Sequence, residues 1–247
     1  MKKHFLWFFL CAAVAVQGQS IGSGKSISRS SRGSGFYASL PPGPPPGQAF
    51  SDDFNRASSA SLGANWTEAD GTWSIINNAD LEANEGGFNF HAAIYSGLAC
   101  DSINQYMRID YESNYGGSSI SGAIFRYTNA STEFYRVDLD DNANTFNAYH
   151  GSAIGGTYTL IGSVAFTIAP ANTYGITITG TGDDVVWRVW ANPSGTPTAA
   201  DNWGGAAGAS ITANPGANNV DAGNYTGLCD VHNNGTQLDN YFGGDIP

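Results

Sequence analysis

Basic residues are nearly missing from most of this chain. Of its ten Lys and Arg, Lys2, Lys3, Lys25, Arg29 and Arg32 precede Phe50, and only Arg56, Arg108, Arg126, Arg136 and Arg188 follow it. All 21 acids lie after Phe50, so that region has a balance of −16. Such a surface repels phosphate backbones and anionic lipid, which excludes nucleic acid as a partner and favours neutral or cationic ligands, Ca²⁺ among them. A long hydrophobic run is also lacking. The apolar stretch Phe5 to Val16 is shorter than the roughly 20 residues a membrane span needs. With Lys2 and Lys3 before it and small residues behind, it has the layout of an export signal over residues 1–18, cleaved after Ala15 or Gly18. Cys11 follows Phe9 and Leu10 rather than a small residue, which argues against lipidation. The expected location is secreted, periplasmic or at the cell surface, with no integral span in the mature form.

Cysteine is scarce, with three in all. Export removes Cys11 and leaves Cys100 and Cys229, an even pair in an oxidising compartment and a candidate disulfide. A loop of that length would gain about 4–5 kcal/mol in the chain-entropy account. Two separate buried thiols, behaving as small hydrophobes, are the alternative. Several chemistries lack their residues altogether. His91, His150 and His232 have no metal-ligand spacing, no Gly-rich turn opens a helix to cradle a phosphate, and no serine occupies a nucleophile elbow. No stretch of ten residues carries a helical apolar stripe.

What is present is Gly, Ser, Asn and short alternating runs. Residues 19–49 form a Gly/Ser/Pro-rich linker ending in the extended LPPGPPPG, too poor in large apolar groups to fold. From Phe50 the period-2 pattern recurs. Met107, Ile109 and Tyr111 alternate with Tyr106, Arg108 and Asp110, and Tyr135, Val137 and Leu139 alternate with Arg136, Asp138 and Asp140. Tyr174 to Thr179 and Val185 to Trp190 flank a Gly/Asp turn and read as a hairpin. Phe50 to Phe54 and Leu238 to Ile246 share an apolar–Asp–aromatic pattern, as first and last strands that pair often do. About 200 residues of short strands predict one antiparallel β-sandwich, residues 50–247.

The order of motifs resembles the concanavalin A-like lectin/glucanase superfamily in its bacterial laminin-G-like jelly-roll form. FSDDFNRASSASLGANWT is similar to its opening strand and Asn-Trp, and GTWSIINNADLEA to the next hairpin. INQYMRIDYES and GAIFRYTNASTEFYRVDLD resemble its paired middle strands. VWRVWANPSGTPTAADNW and YTGLCDVHNNGTQLDNYFGGDI resemble its later and closing strands. The resemblance implies an all-β jelly-roll sandwich and, at Asp239 with Asp53 or Asp52, a structural Ca²⁺ completed by backbone carbonyls. The superfamily holds lectins, glycan-binding modules, glycosidases and adhesive domains. Its retaining glucanases carry Glu-x-Asp-x-x-Glu, which this sequence lacks. Asp110 with Glu112, and Asp138 with Asp140, are the nearest pairs. Residues i and i+2 share a strand face about 6.5–7 Å apart, within the roughly 5–9.5 Å that glycosidase carboxyls use. Solvated acids on an outer face are the plainer reading of both pairs.

The polar strand faces carry the functional expectation. Arg136, Asp138 and Asp140 share one side of a strand, and Arg188 and Trp190 share the side opposite Trp187 and Val189. Planar donors, acceptors and an indole suit sugar hydroxyls and ring faces, so these five residues are the candidate carbohydrate-binding surface, with outer-face ion pairs as the plainer reading. Trp66, Trp73 and Trp203 read as core or loop-packing residues. The expected function is noncatalytic binding of a glycan or surface polymer. A structural or adhesive component of an extracellular assembly or virion is one alternative, and a glycoside hydrolase or lyase another.

Overall fold

The computed structural model describes residues 47–76, 80–83, 90–113, 120–128, 133–198, 203, 206–231 and 237–246. The expected export signal and the linker up to residue 46 lie outside them. The strands are β1 (Ala49–Asp52), β2 (Trp66–Asp70), β3 (Trp73–Ile76), β4 (Asp80–Ala83), β5 (His91–Tyr95), β6 (Gln105–Ser113), β7 (Ile120–Tyr127) and β8 (Phe134–Asp140). They continue as β9 (Thr145–Gly151), β10 (Tyr158–Ala165), β11 (Asn172–Thr179), β12 (Val185–Ala191), β13 (Ala209–Ala213), β14 (Tyr225–Asp230) and β15 (Gln237–Asp245).

Two antiparallel sheets result, and the fold is the expected jelly-roll β-sandwich. The front sheet runs β13-β12-β11-β6-β15-β4-β3, with β1 also on β15; the back sheet runs β10-β9-β8-β7-β14-β5-β2. First and last strands pair as their sequences suggest, Phe50 opposite Gly243 and Asp52 opposite Tyr241. The hairpin of β11 and β12 forms with Ile176 opposite Val189. Alternation then places one residue set between the sheets. Met107, Ile109, Ile176, Ile178, Trp187 and Val189 from the front sheet meet Ala123, Phe125, Tyr135, Val137 and Leu139 from the back. Trp187 and Tyr135 touch edge-on, with ring centroids 5.2 Å apart. Pairs of this kind add about 0.5–1.5 kcal/mol beyond their buried area.

The opening stretch is fastened by aromatics. Phe50 stacks on Tyr95 at 4.3 Å, and Trp66 meets Tyr241 at 5.0 Å. The alternation is interrupted in two strands. In β7 the pairing with β14 slips between Ile124 and Tyr127, and Arg126 there takes a left-handed φ of 55°. Its guanidinium lies buried and donates to the carbonyls of Ile103, Val220 and Gly180, so it ties loops together. In β15 the register slips between Asp239 and Phe242, where Asn240 has φ 49°.

Candidate binding cleft

The five residues expected to form one sugar-binding surface do not do so. Arg136, Asp138 and Asp140 lie on β8 of the back sheet, whereas Arg188 and Trp190 lie on β12 of the front sheet. Each group faces away from the shared core, so the two occupy opposite outer faces. Arg136 and Asp138 are also buried, the latter only 1% exposed. The Arg136 guanidinium grips the Asp138 carboxylate through Nε and a terminal nitrogen, both at 2.5 Å. Around it stand the rings of Tyr158, Phe90 and Tyr149, at 4.7, 4.9 and 5.2 Å. Burial opposes charge on Arg136, but the adjacent carboxylate wins and holds it firmly protonated. Burial pushes Asp138 upward against the pull of Arg136. Asp140 caps a turn by accepting the Ala143 amide at 2.9 Å. Trp190 is only 6% exposed and packs against Trp203 at 5.1 Å. Trp203 in turn lies over Gly175, where even a Cβ would come within 2.7 Å of its ring.

The disulfide expectation is corrected as well. Cys100 and Cys229 are free thiols. Cys100 belongs to the core between the sheets, while Cys229 packs with Ala92, Ile94, Ile124 and Phe134 on the outer side of the back sheet. Leu228 and Cys229 are consecutive strand residues, so their side chains leave on opposite sides, and only Leu228 points toward the compartment of Cys100. Burial drives both thiols far from their ionised forms.

A cleft opens where the front sheet is notched. β1 and β4 share the same edge of β15, with β1 alongside Tyr241–Gly244 and β4 at Leu238. Between them the bulge at Asn240 and the loop from Asp53 to Asn65 frame an open cavity of about 820 Å³. Its lining includes Ser51, Asp52, Asp53, Arg56, Asn65, Asn240 and Phe242. Asp52 is fixed: it accepts from both terminal nitrogens of Arg56 at 2.5 and 3.1 Å, from the Trp66 indole at 2.8 Å and from the Phe54 amide at 2.9 Å. Burial works to raise its carboxyl, but these donors outweigh burial and hold it below its ordinary value. Arg56 also reaches the Leu62 carbonyl at 2.6 Å, which closes the loop against β1. Phe242 has the Arg108 guanidinium 4.0 Å from its ring centroid. Asn240 donates through its side-chain nitrogen to Asp110 and Asp239, both at 2.9 Å.

Asp53 and Asp239, the expected metal ligands, are thus placed differently. Asp53 is exposed in the cleft lining and accepts the Asn55 amide at 3.1 Å. Asp239 lies opposite Asp110 in register and accepts the Asn240 amide at 2.7 Å. Burial first, then Asp110, Glu112 and Asp80, push its carboxyl up to about 6. Among the described residues no three His, Cys, Asp or Glu are grouped to share a metal ion. Sequence reasoning missed the cleft, because Asn65, Asn240 and Phe242 become neighbours only through the pairing of β1 with β15 and the β15 bulge. The one available signal was the likeness of the first and last strands.

No family model matches the chain, and no curated protein does. Solved structures of similar fold include the carbohydrate binding module CBM66 from Bacillus subtilis, 14% identical at a TM-score of 0.47, over 75% of this chain and 95% of that one. Lectin II from Ulex europaeus is 9% identical at a TM-score of 0.45, over 81% and 99%. SCLam, a non-specific endo-beta-1,3(4)-glucanase from family GH16, is 12% identical at a TM-score of 0.47, over 81% and 91%. Likeness of fold by itself decides no function.

Proposed function

We propose that this protein binds carbohydrate without cleaving it, through the cleft between β1, the 53–65 loop and β15. The observation that carries the reading is the lining. An open space of about 820 Å³ is lined by an exposed carboxylate, two amides, a hydroxyl and one aromatic ring. That volume lies within the roughly 300–1,000 Å³ of small-molecule sites. Hydroxyl-rich rings need planar acceptors and donors at their edges and an apolar face beneath. Cleavage would need a carboxylic acid held protonated, beside a second carboxyl. Of the two carboxyls in the lining, Asp52 is displaced in the other direction and is fully engaged by its donors, and the raised Asp239 beside Asp110 stands outside the lining. A structural Ca²⁺ at Asp239, its shell completed by backbone carbonyls and waters, belongs to the same proposal, with Asp53 left free to face the cleft. The crowding that raises the Asp239 carboxyl is what a bound cation would relieve.

Affinity electrophoresis against a panel of neutral, amino and acidic polysaccharides tests the reading. Retardation by at least one of them is expected. Phe242→Ala and Asn65→Ala should each weaken it about tenfold or more while the melting temperature stays within a few degrees. Retention untouched by both variants would place binding elsewhere, and release of reducing ends would turn the assignment toward hydrolysis.

A further inference from the structure

The charges around the cleft are strongly one-sided. Arg56 is the one cation among its lining residues, and it is already spent: its terminal nitrogens hold Asp52 and the Leu62 carbonyl. That leaves the exposed carboxylate of Asp53 in the lining without a cation. Behind the lining lie more acids. Glu68 holds the Leu62 and Trp73 amides at 3.0 and 3.3 Å, and Asp110 and Asp239 hold the amide nitrogen of Asn240. With its donors so used, Asn240 has only its oxygen left, an acceptor. The remaining nearby cation, Arg108, stacks on Phe242 and donates to the Gly195 carbonyl. The cleft is therefore rich in acceptors, carries net negative charge, and belongs to a region whose balance is −16.

We infer that the cleft takes a glycan bearing a free protonated amino group, a glucosamine-type unit, and that it rejects uronates and sulfated sugars. This rests on the carbohydrate-binding reading and names its ligand class. In that arrangement the ammonium donates to Asp53 and the Asn240 oxygen, while the ring lies against Phe242. An acidic sugar meets repulsion from Asp53, and the one cation of the lining, Arg56, is already held by Asp52. A neutral or N-acetylated sugar keeps the ring contact and loses the charge-assisted bond, the stronger kind of hydrogen bond.

Isothermal titration with short oligomers at physiological salt tests this. The ligands are a glucosamine trimer, an N-acetylglucosamine trimer, a glucose trimer and a galacturonate trimer. The glucosamine trimer should bind about tenfold or more tightly than the two neutral ones, and the galacturonate trimer not detectably. The preference should vanish as rising pH deprotonates the amine. Asp53→Asn should abolish the preference, so that the glucosamine trimer binds no more tightly than the neutral ones, while the distant exposed variant Asp183→Asn should leave the preference intact. Equal affinity for amino and neutral trimers, lost in Phe242→Ala, would overturn this inference yet keep the binding function. Loss of the preference in Asp183→Asn as much as in Asp53→Asn would reduce it to attraction by overall charge. No binding of any trimer would remove both readings.

Discussion

At Asp239 the fold spends stability on charge. Its carboxyl is raised to about 6 from an ordinary 3.8, by burial and then by Asp110, Glu112 and Asp80. A carboxyl with a higher pKa folded than unfolded favours folding only while protonated. Its contribution is complete below about 3.8 and is lost as the pH rises through about 6. In EDTA, therefore, Asp239→Asn should flatten the fall in melting temperature across that window. Millimolar Ca²⁺ at pH 7 should raise the melting temperature of the unchanged protein by binding the native state, and should leave Asp239→Asn where it was. Identical curves in EDTA and Ca²⁺ reject the ion. The cysteines give a second test at this scale. Intact mass should be the same before and after reduction, and alkylation should need denaturant, because Cys100 is 3% exposed and Cys229 not at all. The even cysteine count was legible in the sequence. That a strand would send Cys229 to the far side of its sheet was not, since that depends on which face of β14 meets the core.

Strand alternation tells which residues share a side, but not which sheet a strand joins or what covers its outer side. Both gaps show in β8 and β12. Trp187 and Val189 point inward as the period-2 pattern predicts, and so do Tyr135, Val137 and Leu139. Yet β8 and β12 belong to different sheets, and each outer face is roofed, by Phe90 and Tyr158 over Arg136 and by Trp203 over Trp190. Local spacing carries no trace of a ring arriving from a distant loop. Truncations read these layers directly. Trp187→Ala should cost about 3–5 kcal/mol in denaturant unfolding as a core deletion. Trp190→Ala should also destabilise, because it unpacks Tyr106 and Trp203, and should leave glycan affinity unchanged. Arg136→Ala strands a buried carboxylate and should cost about 3–5 kcal/mol, whereas replacing both partners by Arg136→Met with Asp138→Leu should come out near neutral. A larger loss in the double variant than in Arg136→Ala would show that the pair, and not the penalty of an unpaired charge, is what stabilises β8.

Taken whole, the domain is closed by its own ends and strained by its own charge. The pairing of β1 with β15 was legible because the two segments look alike; the cleft beside it was not, because it is a gap left where β1 and β4 share one edge. Around that frame are 21 acids and, from Phe50 onward, only five arginines. Two of these, Arg126 and Arg136, are buried and serve loops or a single partner. Few cations are left to offset the surface acids, so the folded state brings like charges together that the unfolded chain keeps apart. Monovalent salt should relieve this. Between about 10 mM and 150 mM NaCl the screening length shrinks from about 30 to about 8 Å, shorter than the spacing of many surface charges. The melting temperature at pH 7 should rise over that range, with most of the gain at the low-salt end. Asp183→Asn, which removes one exposed acid, should reproduce a small part of the gain at low salt and none of it at high salt. A melting temperature that is flat or falling with salt would mean that local pairs such as Arg56–Asp52, rather than the excess of acids, set the electrostatic stability.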